Sequence, residues 1–442
     1  MLRLRSVVIA AVVVAGASYW IMRPASSDPD VPAADARVSA SAVAEPVGRA
    51  EHAEVERLIR AFEQRIRDHT DPIDYKFLGR LYLERARSTG DVASYTSAES
   101  ALERAVELSP DAEAKILLGT VRYSVHDFAS ALDLARSVYD HDRSELAGLL
   151  LAGDAALELG RYVEARAAYA TLADKLPGTG AVEARLARVA FLDGHSGAND
   201  LAAKAQSDAE SQGAFGPGLA WYAHLRAQIA FDTGDYATAV ARDREAVALA
   251  PNYHVALAGL ARSLAASGDV DGGIALYERA IAAVPLPEYL AALGDLHALR
   301  GDTTRAERSY ATIDVIARLS PLERRLYDRQ LTLFYLDHDR DLAAALAAAQ
   351  AALASRPDIY GQDLLAWALY KNGRFAEARA ASERARSLGT PDAKLLYHAG
   401  LISLALGEGD RGRQELTTAL AWSPMFDPLQ AGRARAALEA AR

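Results

Sequence analysis

The sequence predicts an all-α fold, an α-solenoid of about ten helix-turn-helix repeats with a capping helix at each end. Three observations predict it. Turn-opening glycines recur at Gly160, Gly194, Gly234, Gly268, Gly301, Gly373 and Gly407, and most neighbouring pairs lie 33 or 34 residues apart. Prolines recur in step, at Pro251 and Pro285 and again at Pro357, Pro391 and Pro424. Composition agrees: 51% of residues are hydrophobic, largely Ala and Leu, and 24% are charged, which suits amphipathic helices better than alternating strands.

The unit is legible in LELGRYVEARAAYATLADKLP and ALYKNGRFAEARAASERARSLGTP. A first helix ends near a glycine, which supplies the tight or left-handed turn that a Cβ would oppose. An aromatic follows two residues later (Tyr162, Tyr236, Phe375), and an alanine three residues on (Ala165, Ala239, Ala378), where two helices must approach closely. Another small residue stands further along the second helix (Ala246, Ala280, Ala385, Ala419), and a proline then stops it. The first helix carries its own small residue at Gly79, Gly119, Gly153, Gly294 and Gly400, after a leucine at Leu78, Leu118 and Leu293.

In these positions the chain resembles the tetratricopeptide repeat family, over roughly residues 72 to 426. The resemblance implies stacked helix pairs whose first helices line a concave groove that binds other proteins. There are departures. The first unit carries an insertion at residues 88–96, and the fourth is degenerate, with HSGAND and a second break at SQGAFGPG. The eighth unit puts Arg340 where the turn glycine is expected. The family's first-helix tryptophan is mostly Leu, Ala or a polar residue. Its carboxylate clamp is not reproduced either: Lys76 and Arg80 stand at suitable places, but the asparagines are missing.

The two ends of such a stack expose apolar faces and need covers. Residues 51–68 present Val55, Leu58, Ile59, Phe62 and Ile66 on one side, and a final Arg- and Ala-rich helix is expected from Asp427 and Pro428. The organisation expected is therefore a segment 1–23, an Ala-, Pro- and Ser-rich disordered linker 24–50, N-terminal repeats with their cap over 51–212, C-terminal repeats over 213–426, and a capping helix over 427–442. The break at residues 213–218 reads as a hinge or as an irregular packed loop.

The N-terminus sets the expected location. Arg3 and Arg5 precede an uncharged run over residues 6–22, which as a helix would rise about 26 Å, the short limit for a bilayer core. Tyr19, Trp20 and Arg23 favour a retained transmembrane anchor, whereas Ala15-Gly16-Ala17 offers a signal-peptide cleavage site. Either reading places the repeats outside the cytoplasm, anchored at the membrane or secreted. The linker would reach roughly 30 Å.

Nothing in the sequence points to catalysis. Phosphate-binding loops, zinc-protease and nucleophile-elbow motifs are missing, and the ten histidines are scattered singly. The chain has no cysteine, so disulfides, thiolate metal sites and cysteine nucleophiles are excluded. A net charge of -10 argues against a nucleic-acid partner. No enzyme activity, metal or cofactor is expected.

The expectation is instead a scaffold or adaptor that binds a protein or peptide in its groove. The alternatives are a small-ligand or glycan receptor, or an accessory subunit of an envelope enzyme. Projected onto first helices, the groove residues are Tyr327, Gln330 and Phe334, then Tyr360, Asp363, Trp367 and Tyr370, then Lys394 and Tyr397. An earlier unit contributes Trp221, His224, Gln228 and Phe231. Tyrosine and tryptophan offer large contact area at little entropic cost, which suits a binding surface.

Overall fold

Apolar side chains spaced for one helical face, with a glycine or aspartate wherever the chain must reverse, leave this sequence little choice but paired helices. The computed structural model describes residues 49–318 and 326–441. Within them stand 22 α-helices and no strand.

A first helix, α1 (Arg49–Asp68), precedes ten hairpins. Unit one is α2 (Pro72–Thr89) and α3 (Ala93–Leu108), and unit two is α4 (Ala112–Ser124) and α5 (Phe128–His141). Unit three is α6 (Leu146–Glu158) and α7 (Tyr162–Lys175), and unit four α8 (Gly180–Leu192) and α9 (Ala198–Ser211). Units five and six are α10 (Gly216–Asp232) with α11 (Tyr236–Leu249) and α12 (His254–Ala266) with α13 (Val270–Ala283). Units seven and eight are α14 (Pro287–Leu299) with α15 (Thr303–Ile316) and α16 (Asp328–Asp337) with α17 (Leu342–Ser355). Units nine and ten are α18 (Ile359–Lys371) with α19 (Phe375–Ala385) and α20 (Ala393–Ala405) with α21 (Gly409–Trp422). A final helix, α22 (Gln430–Ala440), closes the stack.

The spacing argument holds in detail. All seven expected turn glycines have positive φ. Ala165, Ala239, Ala378, Ala246, Ala280, Ala385 and Ala419 are completely buried at the helix crossings. A Cβ on Gly153 would lie 2.7 Å from the Tyr169 ring, so the crossing of α6 and α7 admits no larger residue. Aspartates accept from backbone N–H groups at helix starts, among them Asp71, Asp111, Asp127, Asp235, Asp269, Asp302 and Asp358.

Two details differ from expectation. The eighth unit turns on Asp339 (φ 55°), with Asp341 also left-handed (φ 41°), so the residue replacing glycine is Asp339 and not Arg340. Aspartate tolerates this region because its short side chain can bond locally. The insertion in unit one does not bulge as a loop: α2 runs on to Thr89 and Gly90 (φ 72°) makes the turn.

The ends are covered as amphipathicity requires. Ile59 and Phe62 of α1 are buried against Leu78, Tyr82 and Leu102. At the other end Asp427 accepts from the N–H groups of Leu429 and Gln430, and Ala431 and Ala434 of α22 are buried. Between α9 and α10, Gln212 donates to the Gly178 carbonyl (2.5 Å) and accepts from the Gly180 N–H, while one apolar cluster runs from Leu149 to Ile229. Among the described residues no helix is long and apolar enough to cross a membrane, and the segment 1–23 and most of the linker 24–50 lie outside them.

The stack winds back onto itself. The turn of unit three meets the loop between units eight and nine: Arg356 Nε donates to Glu158 Oε2 (2.8 Å), and the Ile359 N–H donates to the Tyr162 hydroxyl (2.8 Å). The turn of unit four meets the next loop, where the Thr390 hydroxyl donates to the Leu192 carbonyl (2.6 Å). The turn of unit five meets the loop after unit ten, where Tyr236 accepts from the Met425 N–H and bonds the Ser423 hydroxyl, both at 2.8 Å. In each case contact falls about five and a half units further along the chain.

Candidate binding surface

Because the coil closes on itself, first helices from distant units share one interior. Glu158, at the end of α6, is held by Arg356 across the coil and lies 3.8 Å from Arg188 of α8. Burial disfavours its charge, but Arg356 and then Arg188 hold its carboxyl below the usual glutamate range. The Arg188 side chain stays 43% exposed, and its charge is felt by Tyr123 of α4, Tyr360 of α18 and Asp232 of α10.

The acidic side chains of this interior are desolvated, Asp337 by full burial and Asp232 and Asp392 while still partly open. Burial pushes Asp232 up to about 6, against the pull of Arg262 at 3.7 Å and with a further push from Asp392. Asp392 and Asp337 are raised for the same first reason. Burial opposes the charge of Lys394, yet Asp427, Asp337 and Asp392 around it hold its pKa above the ordinary lysine range. This is a mixed-charge surface with tyrosines between the charges. It can grip a polar chain. Among the described residues no group of His, Asp or Glu is placed to hold a metal ion.

The expected groove residues divide in two. Tyr327, Tyr360, Tyr370 and Lys394 are half-buried, with surface still open. Phe334, Trp367 and Tyr397 are not groove residues but core, at 3%, 1% and 1% exposure. Trp367 lies between the rings of Tyr370 (5.0 Å, 6° between planes) and His398 (4.2 Å, 15°), and donates through Nε1 to Asp337. Phe334 packs on Tyr310 and His338, and the Tyr397 hydroxyl donates to Gln430 of the closing helix. Asp363 is buried too, 2.9 Å from His398 Nδ1. In unit five, Phe231 is core beneath Arg262 and His224 bonds Asp243, leaving Trp221 half-buried. Lys76 and Arg80 are engaged by carboxylates of unit two, Lys76 by Asp111 (2.9 Å) and Glu113 (3.0 Å).

The residues the groove projection missed are Arg188, Asp232, Glu158 and Arg356. A signal was present, since Glu158 and Asp232 stand just before turn glycines in register, but only the closure of the coil brings Arg356 to Glu158 and Asp392 towards Asp232. Glu288, in the first turn of α14, was also missed. Its Oε2 is buried without a partner, and burial pushes the carboxyl up to about 7. A carboxyl raised on folding costs stability above its unfolded value near 4.5, and the cost reaches its full size above pH 7. Glu288→Gln is therefore expected to stabilise by about 2–3 kcal/mol at pH 8 and by almost nothing at pH 4.5. Urea midpoints at the two pH values check it.

Three family models match the chain. Residues 91–172 match the anaphase-promoting complex (cyclosome) subunit 3 family, and residues 230–296 and 364–424 match two tetratricopeptide repeat families. Over residues 230–296 and 364–424 the repeats match the tetratricopeptide type, and the remaining hairpins are like them. No curated protein sequence matches the chain. Solved structures similar to it include the APC/C hetero-tetramer Cut9-Hcn1, at 15% identity and a TM-score of 0.38, covering 89% of this chain and 94% of that one. Yeast Tom70 is similar at 15% identity and a TM-score of 0.36, covering 89% and 93%. The type IV pilus biogenesis factor PilW is similar at 14% identity and a TM-score of 0.40, over 48% of this chain and 96% of that one. A repeat stack of this kind is consistent with a protein-interaction role.

Proposed function

We propose that this tetratricopeptide-repeat chain is an extracytoplasmic scaffold or adaptor that holds a protein or peptide partner against the inner surface of its coil. The observation that carries the reading is Arg188, a cation enclosed by first helices of both turns and yet 43% open, with Tyr360, Tyr123 and Asp232 around it. Enclosed aromatic and arginine side chains with open surface are where binding energy concentrates. The position outside the cytoplasm rests on residues 1–23, with their two arginines and uncharged run.

A photoreactive side chain placed at position 360 of the full-length protein in its own cells should cross-link a discrete partner. The same group at Val163, 81% exposed on a second helix, should not. Arg188→Glu should cut the yield at position 360 by more than about tenfold, a loss of the hot-spot class. Cross-links from position 163 with none from 360 would reject the interior as the binding surface. Protection of the repeats from protease added outside intact cells stripped of any outer envelope would reject the location.

A further inference from the structure

A solenoid normally contacts only its neighbours along the chain. This one does not, and its turn glycines record the difference. Gly160, Gly194, Gly234, Gly268, Gly301, Gly373 and Gly407 share a left-handed backbone, with φ between 67° and 98°. At four of them, Gly268, Gly301, Gly373 and Gly407, a Cβ would meet nothing within 4 Å. At the other three it would strike main chain of the next turn of the coil: the Pro357 carbonyl oxygen at 2.9 Å from Gly160, the Gly389 carbonyl oxygen at 2.7 Å from Gly194, and the Trp422 carbonyl beside Gly234. Gly90 repeats the pattern in unit one, against the Val284 side chain at 2.7 Å.

These glycines mark a seam. Along it run the Glu158–Arg356 ion pair, with Arg356 also 5.0 Å over the Phe128 ring, and the hydrogen bonds of Tyr162, Thr390 and Tyr236. Behind them Ile359 and Leu395 are buried in the same apolar cluster as α6 to α10. Most of the polar contacts join a side chain of one turn to main chain of the other, so the seam closes in one register only.

We infer that this seam is a latch, holding the coil shut and setting access to its interior. The inference rests on the interior being the binding surface. The latch itself can be tested without any partner. The chain contains no cysteine, so introduced cysteines are unique labelling sites.

Spin labels at Val163 and Ala354, exposed on the two sides of the seam, should give one short distance in the full-length protein. Combining Glu158→Gln with Thr390→Val, or placing a wedge at Gly234→Asn, should spread that distribution to longer values. Gly268→Asn is the control: asparagine faces the same left-handed turn there but no seam. A single cysteine at Gln228, on the interior-facing α10, then reports access. The rate ratio of a bulky polyethylene-glycol maleimide to N-ethylmaleimide should rise by about tenfold in the opened variants and stay at the wild-type value in Gly268→Asn.

Latch variants that keep their helical circular dichroism and also keep the short distance would overturn the inference, as would opening with no change in the rate ratio. If one variant fails to fold, the other decides. A missing cross-link at position 360 in every variant, with the distances behaving as stated, would instead reject the interior binding surface and leave the latch standing.

Discussion

Trp367→Ala is expected to destabilise the protein by about 3–5 kcal/mol, the range for deleting a large buried aromatic. The ring is 1% exposed and fills the space between Tyr370, Tyr397 and His398, so the surrounding helices cannot close the gap. The variant also strands Asp337, which loses its bond from the indole N–H (2.9 Å) while its carboxyl is already raised by burial. Trp367→Phe should cost less, since it keeps most of the packing and loses mainly that bond. Tyr360→Ala sets the contrast. Its side chain is half-buried on the inner surface, with one side against the apolar cluster, so stability should fall by only about 1–2 kcal/mol while partner capture falls by tenfold or more. Urea unfolding followed by circular dichroism, beside cross-linking from position 228 with Arg188 intact, separates the two residues. Equal stability losses in both would place Tyr360 in the core with Trp367.

That contrast shows where sequence reasoning carried and where it stopped. Unit number, turn positions and crossing alanines were legible because each is a local requirement repeated with the period of the fold. The left-handed Asp339 was misplaced by one residue because the eighth unit has no glycine to mark the turn. Which first-helix aromatics face the interior was not legible. Helix register puts Trp367 and Tyr360 on similar faces, and only the neighbours decide between them: His398 and Tyr397 from unit ten cover Trp367, while nothing covers Tyr360 to the same extent. The seam was least legible. Tyr162 and Tyr236 already have a local reason to be aromatic, as the residues that follow each turn, and their second role joins positions 187 to 197 residues apart. Coupling over that distance also changes the thermodynamics. Without the seam, units three and nine would unfold nearly independently; with it, opening one exposes apolar surface of the other, since Ile359 is buried in the cluster of unit three.

The largest single loss is expected at Asp154. Its carboxylate, 9% exposed, accepts from Arg185 Nε (3.0 Å) and Nη2 (2.7 Å) and from the Tyr169 hydroxyl (2.9 Å), tying unit three to unit four. Asp154→Ala leaves a buried guanidinium that cannot shed its proton, and should cost about 3–5 kcal/mol or more. The pair is not indispensable in itself: Asp154→Leu combined with Arg185→Met should recover most of the loss. Unit seven supplies the internal comparison. Asp295 accepts from the Tyr310 hydroxyl (2.7 Å) at the same spacing of 15 residues, but its cationic partner is His338, 2.8 Å away through Nε2. Burial disfavours the imidazolium, and Asp295 outweighs it, raising the His338 pKa above its ordinary value of 6.5. A histidine raised on folding contributes stability that is complete below its unfolded pKa and lost as pH rises through the folded one. In Asp295→Ala the ring can relax to its neutral form. The cost should therefore be smaller than for Asp154→Ala, and should shrink further as pH rises beyond the raised pKa, whereas the Asp154→Ala cost stays constant over the same window. Equal, pH-independent losses at the two positions would show that the tyrosine bond, and not the cation, carries the energy of both networks.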